Sequence, residues 1–204
     1  MQKEIKISKM SGKLEGFKSI NTNTLNNDFC IKMHNSKNKN IICTHCYSYY
    51  MLKTFRKNCT KNFNHNSKLL SKNIIPINLL PTLNDLYFRF HSHGELINQN
   101  HLINFINICN KNPKTTFALY TKRIDLIQSY FKDNNKPNNL IIVYSNPLIN
   151  KVNKNIPKYF DKVFNVVDKP NKNINCSQKC NNCLNCYNKD KDNIIIELIK
   201  PYTK

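Results

Sequence analysis

Tryptophan is absent from this chain of 204 residues, and glycine occurs only three times. Acidic side chains are scarce too: 12 Asp and Glu stand against 32 Lys and Arg, giving a formal net charge of +20. No apolar run is long enough to cross a membrane, so a membrane protein is not expected. The opening residues MQKEIKISKM lack the apolar core of a secretory leader. The expected compartment is therefore a reducing cytoplasm, in which thiols stay free to bind metal. Nine cysteines, an odd number, also speak against a complete disulfide framework. Neither an internal repeat nor a heptad pattern is found. The charge has two readings. One is a nucleic-acid partner. The other is coding bias: a chain rich in Asn, Lys, Ile, Tyr and Phe and poor in Gly is what an AT-rich genome produces, and its lysines are scattered as on a solvated face.

Against these absences, the cysteines are clustered. Cys176, Cys180, Cys183 and Cys186 fall within eleven residues, and Cys30, Cys43 and Cys46 form a second group. Zinc ribbons and fingers bring their ligands in as separated pairs. The unbroken run Cys180-x-x-Cys183-x-x-Cys186 is instead the ferredoxin-type way of holding a 4Fe–4S cluster. Two clusters are expected. The one on Cys30, Cys43 and Cys46 would leave one iron without a protein ligand; the one on the C-terminal four would be closed, structural or electron-relaying. Zinc remains the alternative at both places, with His34 or His45 as a fourth ligand in the first. Cys59 and Cys109 are isolated and carry no expected role.

Hydrophobic periodicity predicts strands near 12–20, 86–91, 115–121, 140–145 and 163–167, and helices over 47–72, 99–110 and 123–131, with the stretch 194–199 following the cysteine-rich segment. Cys30 to Cys46 reads as a polar loop. The long helix would begin just after Cys46, with its N-terminal dipole favouring an anionic cluster. Strands alternating with helices imply an α/β fold with a parallel sheet and crossovers, whose chemistry sits at the C-terminal strand ends. Residues 1–170 would form this body, and 171–204 a cluster-binding segment. Period-two alternation sends Leu86, Phe88 and Phe90 to one face and Arg89, His91 and His93 to the other, toward a cleft. Gly94 calls for positive φ or a close ligand approach. Glu95, an acid in a chain poor in acids, is placed to receive a cationic group, although a first-turn helix position would explain it equally well.

Three cysteines before a helix, followed some fifty residues later by a strand ending Gly-Glu, resemble the radical S-adenosylmethionine (SAM) enzymes. Cys43-Thr44-His45-Cys46 looks like the second half of their cysteine loop; Cys30 departs from it by standing twelve residues away. The pieces Cys30, Cys43–Tyr47, Phe88-Arg89-Phe90-His91-Ser92-His93-Gly94-Glu95, Tyr120–Arg123, Ser145-Asn146-Pro147 and the terminal cysteine run are similar to a phage family called gene product 88. The resemblance implies a partial parallel (β/α) barrel. It implies SAM bound at the open iron, with Gly94 and Glu95 at its amine and Ser145 at its ribose or carboxylate. Arg89, His91, Lys122 and Arg123 would face an anionic substrate such as a nucleotide or nucleic acid. A host flavodoxin or ferredoxin would supply electrons, and a phage gene would place the protein in the host cytoplasm. The competing reading is a nucleic-acid-binding module stapled by zinc or inert clusters.

Overall fold

A computed structural model describes residues 4–199 of the chain. The basic tail beyond them lies outside the described residues. Strands β1 (Ile7–Lys9) and β2 (Lys18–Ile20) form an antiparallel hairpin. Three helices follow: α1 (Asp28–His34), α2 (Tyr47–Lys53) and α3 (Thr60–Lys72). Strand β3 (Tyr87–Phe90), helix α4 (Gln99–Lys111), β4 (Thr116–Thr121), α5 (Ile124–Phe131) and β5 (Leu140–Ile149) continue the alternation. Strand β6 (Lys162–Val167), the single turn α6 (Cys180–Cys183) and β7 (Ile194–Leu198) close the order. The seven strands make one sheet in sequential order, and every pairing from β2 to β7 is parallel. The fold is α/β with a mostly parallel sheet, as the alternation implies. The C-terminal segment supplies β7 to that same sheet, so residues 168–193 are a crossover that carries cysteines instead of a long helix.

Sequential parallel strands joined by right-handed crossovers keep their helices on one face. The strand sequences are written for this. Phe88, Phe117 and Leu140 lie in register across β3, β4 and β5, as do Phe90, Leu119 and Ile142 one pleat on. All six are fully buried, beneath Leu102, Phe105 and Ile127 of α4 and α5. Phe90 stacks on Phe105 with ring centroids 4.0 Å apart and on Phe117 at 5.0 Å. The alternate positions Arg89, Ala118 and Tyr120 face the other way, where Phe17, Tyr187 and the cysteine crossover cover them. Asparagine, abundant through coding bias on one reading, also does structural work: Asn104 and Asn112 are buried, and they tie α4 to the chain between α3 and β3, Asn104 through the backbone of Leu70, Asn73 and Ile75 and Asn112 through that of Pro81 and Leu83.

Three expectations are corrected. The helix over 47–72 is two helices, because Thr54 turns its hydroxyl onto the Tyr50 carbonyl at 2.9 Å and the chain leaves helical geometry there. Cys30 does not sit in a loop. It lies in the first turn of α1, where the Asn27 side chain accepts its amide hydrogen at 3.3 Å. Finally, His91 borders the same cavity as Arg89 but does not continue the strand's alternation. Its φ of +62° breaks the alternation at the strand end. The ring turns under α4, 5.1 Å from both His101 and Phe105.

Burial holds three imidazoles uncharged: it pushes His91 down to about 3, His93 down to about 4, and His101 well below its ordinary value. In the unfolded chain each takes up a proton near pH 6.5. Stability is therefore fully present above about pH 6.5 and falls as the pH drops toward 4, by about 2 kcal/mol per histidine at pH 5. Urea unfolding between pH 7 and pH 5 should show this slope. A His101→Gln variant should flatten it by roughly a third; an unchanged slope would mean that the buried ring is not the source.

Candidate metal centre and cavity

A cavity of about 470 Å³ opens on the sheet face away from α4 and α5. Its wall carries Cys30, Cys43 and Cys46 as well as Cys176, Cys180 and Cys186, together with Arg89, Tyr120, Lys122 and Glu95. Cys183 joins the other C-terminal thiols around an adjoining void of about 20 Å³. The two groups that are far apart in sequence thus meet across one space. Among the described residues, no three His, Cys, Asp or Glu side chains are gathered tightly enough to hold a metal ion.

The twelve residues after Cys30 are folded by local contacts. The ring of His34, at the end of α1, donates from Nδ1 to the Cys43 carbonyl at 3.0 Å and stacks on Tyr49 at 3.7 Å. His45 donates from Nε2 to the Lys39 carbonyl at 3.2 Å. Both candidate fourth ligands therefore have one nitrogen engaged with the backbone. Cys43 and Cys46 flank the turn that leads into α2. Burial, then the negative charges of Glu95 and the neighbouring thiols, pushes Cys30 up, while Lys122 opposes this. Cys43 is likewise raised by burial against the pull of Lys122. Burial works against the Lys122 charge, but Cys43, Glu95, Cys46 and Cys30 together hold its ammonium above the ordinary lysine value.

The C-terminal group has its own cations. The single turn α6 ends at Leu184, whose left-handed conformation (φ 51°) reverses the chain and brings Cys186 back toward Cys180. The ammonium of Lys13 donates to Cys176 Sγ at 3.1 Å and pairs with Glu197. Tyr120 donates its hydroxyl to Cys186 Sγ at 2.6 Å. The Arg89 guanidinium lies 3.4 Å from the centre of the Tyr120 ring. Burial pushes Cys176 up to about 11, helped by Glu197 and opposed by Lys13. Cys180 and Cys186 are raised by burial and pulled back by Arg89 and, for Cys186, by the Tyr120 hydroxyl.

The remaining expected site residues divide. Glu95 is buried, and its carboxylate accepts the Thr121 hydroxyl at 2.6 Å and the amides of Leu96 and Lys122, both at 2.8 Å. It thereby ties the end of β3 to the end of β4. Lys122 donates to the Ser145 hydroxyl at 2.9 Å, and both line the cavity. Gly94 has positive φ as expected, but the close neighbour is the chain at Thr22, not a ligand: an added Cβ would lie 2.1 Å from the Thr22 hydroxyl oxygen. Arg123 is not among the residues lining the cavity. It pairs with Asp125 and donates to the carbonyls of Leu96 and Ile97 at 3.1 and 3.2 Å. Cys109 is buried in the core. Tyr120 and Lys13 were not expected at the site. Tyr120 was legible as the alternate partner of Leu119, whereas Lys13 is 163 residues from Cys176 and carried no local signal.

Among the described residues, no helix is long and apolar enough to cross a membrane. The family described as gene product 88 matches residues 11–195, and the chain belongs to that family. No curated protein and no solved structure matches it.

Proposed function

We propose that this gene product 88 protein is an iron–sulfur protein of the radical SAM type, its sheet a partial (β/α) barrel. In this reading Cys30, Cys43 and Cys46 hold a 4Fe–4S cluster with one open iron, and Cys176, Cys180, Cys183 and Cys186 hold a second, closed one. One observation carries the reading: both cysteine groups face a single cavity, each with cations of its own, Lys122 for the first and Arg89 and Lys13 for the second. The donor set supports it. Half-buried thiols that repel one another as thiolates are what a soft, thiolate-ligated centre neutralises. A cubane also holds its cysteines around a volume, farther apart than a single ion does, in keeping with sulfurs set around a cavity. Sequential strand order, with α4 and α5 packed on the same face, supports a barrel over a doubly wound sheet.

When bound, the clusters would supply electrons from a flavodoxin- or ferredoxin-type donor for the reductive cleavage of SAM. The chain's own residues would do the rest. Among the described residues Glu95 Oε2 accepts the Lys122 amide alone, which leaves a lone pair for a cationic amine. Lys122 and Ser145 would hold an anionic or hydroxyl-bearing part of the same ligand. The apolar wall of Phe164 and Met51 would exclude water. The test is anaerobic reconstitution followed by iron and sulfide assay, then dithionite reduction with SAM and detection of 5′-deoxyadenosine. Two clusters per chain and that product are expected. Stoichiometric zinc without acid-labile sulfide would replace this reading with a zinc-stapled binding module.

A further inference from the structure

The stretch from Phe29 to Asn84 contains nine Lys and Arg residues and not one Asp or Glu. At the chain's average acid content, about three acids would fall in a stretch of that length. Its cation content matches the rest of the chain, so the acids alone have been lost. Coding bias acts evenly along a gene and does not account for an acid-free block. The block builds α2, α3 and most of α1, and it forms one wall of the cavity through Tyr47, Met51 and Arg56.

Next to that wall, aromatic rings are exposed where burial would be expected. Phe55, immediately before Arg56, is 65 % exposed, and Tyr50, immediately before Met51, is 38 % exposed. The two rings meet edge to face with centroids 6.4 Å apart. Lys53 lies over the neighbouring Tyr49 ring at 4.5 Å. Arg56 bonds the Ser11 hydroxyl at 3.2 Å and has no ion pair among the described residues. Exposed ring faces interleaved with cations, with no acid in the stretch that carries them, are the recognition chemistry of unpaired nucleotides: rings stack on bases and cations follow the backbone. A duplex hides its base faces and could not use the rings.

We infer that the α2–α3 rim is a single-stranded nucleic-acid-binding surface that delivers a nucleotide of the strand to the cavity. Phe55 and Tyr50 stack on bases, and Lys53, Arg56 and Lys57 contact phosphates. The delivery step rests on the proposed cluster chemistry of the cavity; the binding surface does not.

The experiment is fluorescence anisotropy with a labelled single-stranded 15-mer, DNA or RNA, and the matching duplex, across a salt series. Iron and sulfide are measured on the same anaerobically reconstituted sample. Single strands should bind more tightly than duplex, with affinity falling steeply as salt rises. Phe55→Ala should weaken binding about tenfold with little change in salt slope, because it removes stacking and no charge. Arg56→Gln should weaken binding and make the salt slope shallower. Both positions are surface-exposed or partly so, and unchanged melting temperatures would show that the variants are folded. Absence of binding, equal affinity for duplex, or a Phe55→Ala variant that binds like the parent would overturn the inference. Loss of iron with the Phe55 effect intact would sink the cluster reading and leave this surface standing. Two clusters and SAM cleavage without any strand binding would do the reverse.

Discussion

A Cys43→Ala chain, reconstituted anaerobically beside the parent, should carry roughly half the parent's iron and acid-labile sulfide. It should neither bind nor cleave SAM. The thiols of Cys30, Cys43 and Cys46 line the cavity together and share the cation Lys122, so losing one leaves a two-thiolate set. The C-terminal group has partners of its own: the cations Arg89 and Lys13 and the hydroxyl donor Tyr120. The reciprocal change at Cys180 should behave differently. That thiol packs with Leu184 and Cys186 against Phe17, Ala118 and Tyr187. Cys180→Ala should therefore cost thermal stability as well as iron, whereas Cys43→Ala should cost mainly iron. Iron and sulfide assays with the paramagnetic spectrum of the reduced protein decide the matter. Full iron in Cys43→Ala, or complete loss from a chain that still melts like the parent, would refute two separate centres.

Gly94→Ala should be the most damaging single methyl group in the protein. The added carbon would lie 2.1 Å from the Thr22 hydroxyl oxygen and 2.6 Å from the Thr22 carbonyl oxygen. That backbone has little room to retreat. The Thr22 amide is bonded to the His93 carbonyl at 3.2 Å, and the amides of Ser92 and His93 are held by Asn21 Oδ1 at 2.9 and 3.0 Å. A left-handed alanine costs about 1–2 kcal/mol and overpacking about 1–3 kcal/mol more, so a loss of about 3 kcal/mol is expected. For a domain of this size the melting temperature should drop by roughly 6–12 °C. Gly12 and Gly16 also have positive φ, but nothing lies within 4 Å of a Cβ built there. Alanine at either should cost only about 1 kcal/mol. Equal losses at all three glycines would show that backbone conformation, and not the approach of Thr22, is what Gly94 serves.

What could be read from the sequence was what depends on near neighbours. The alternation of Phe88, Arg89 and Phe90 reports a strand with two unlike faces because side chains on a pleated strand point oppositely by turns. The strands and helices from 86 to 131 lie within two residues of where periodicity puts them. Thiol spacing marked both cysteine groups, and the one acid beside the one late glycine marked the strand end. What the sequence could not show was set by contacts between distant segments or by a single backbone angle. Folding Cys30 into α1 depends on Asn27 capping that helix, which brings the isolated cysteine to the other two. A left-handed φ at His91 turns its ring toward His101 and Phe105 at the border of the cavity. Arg123 is drawn to the carbonyls of Leu96 and Ile97 and to Asp125, and so leaves the cavity to Arg89 and Lys122. The joining of two cysteine groups across one cavity follows from the order of the parallel strands, which sequential right-handed crossovers decide, and no local pattern encodes that order.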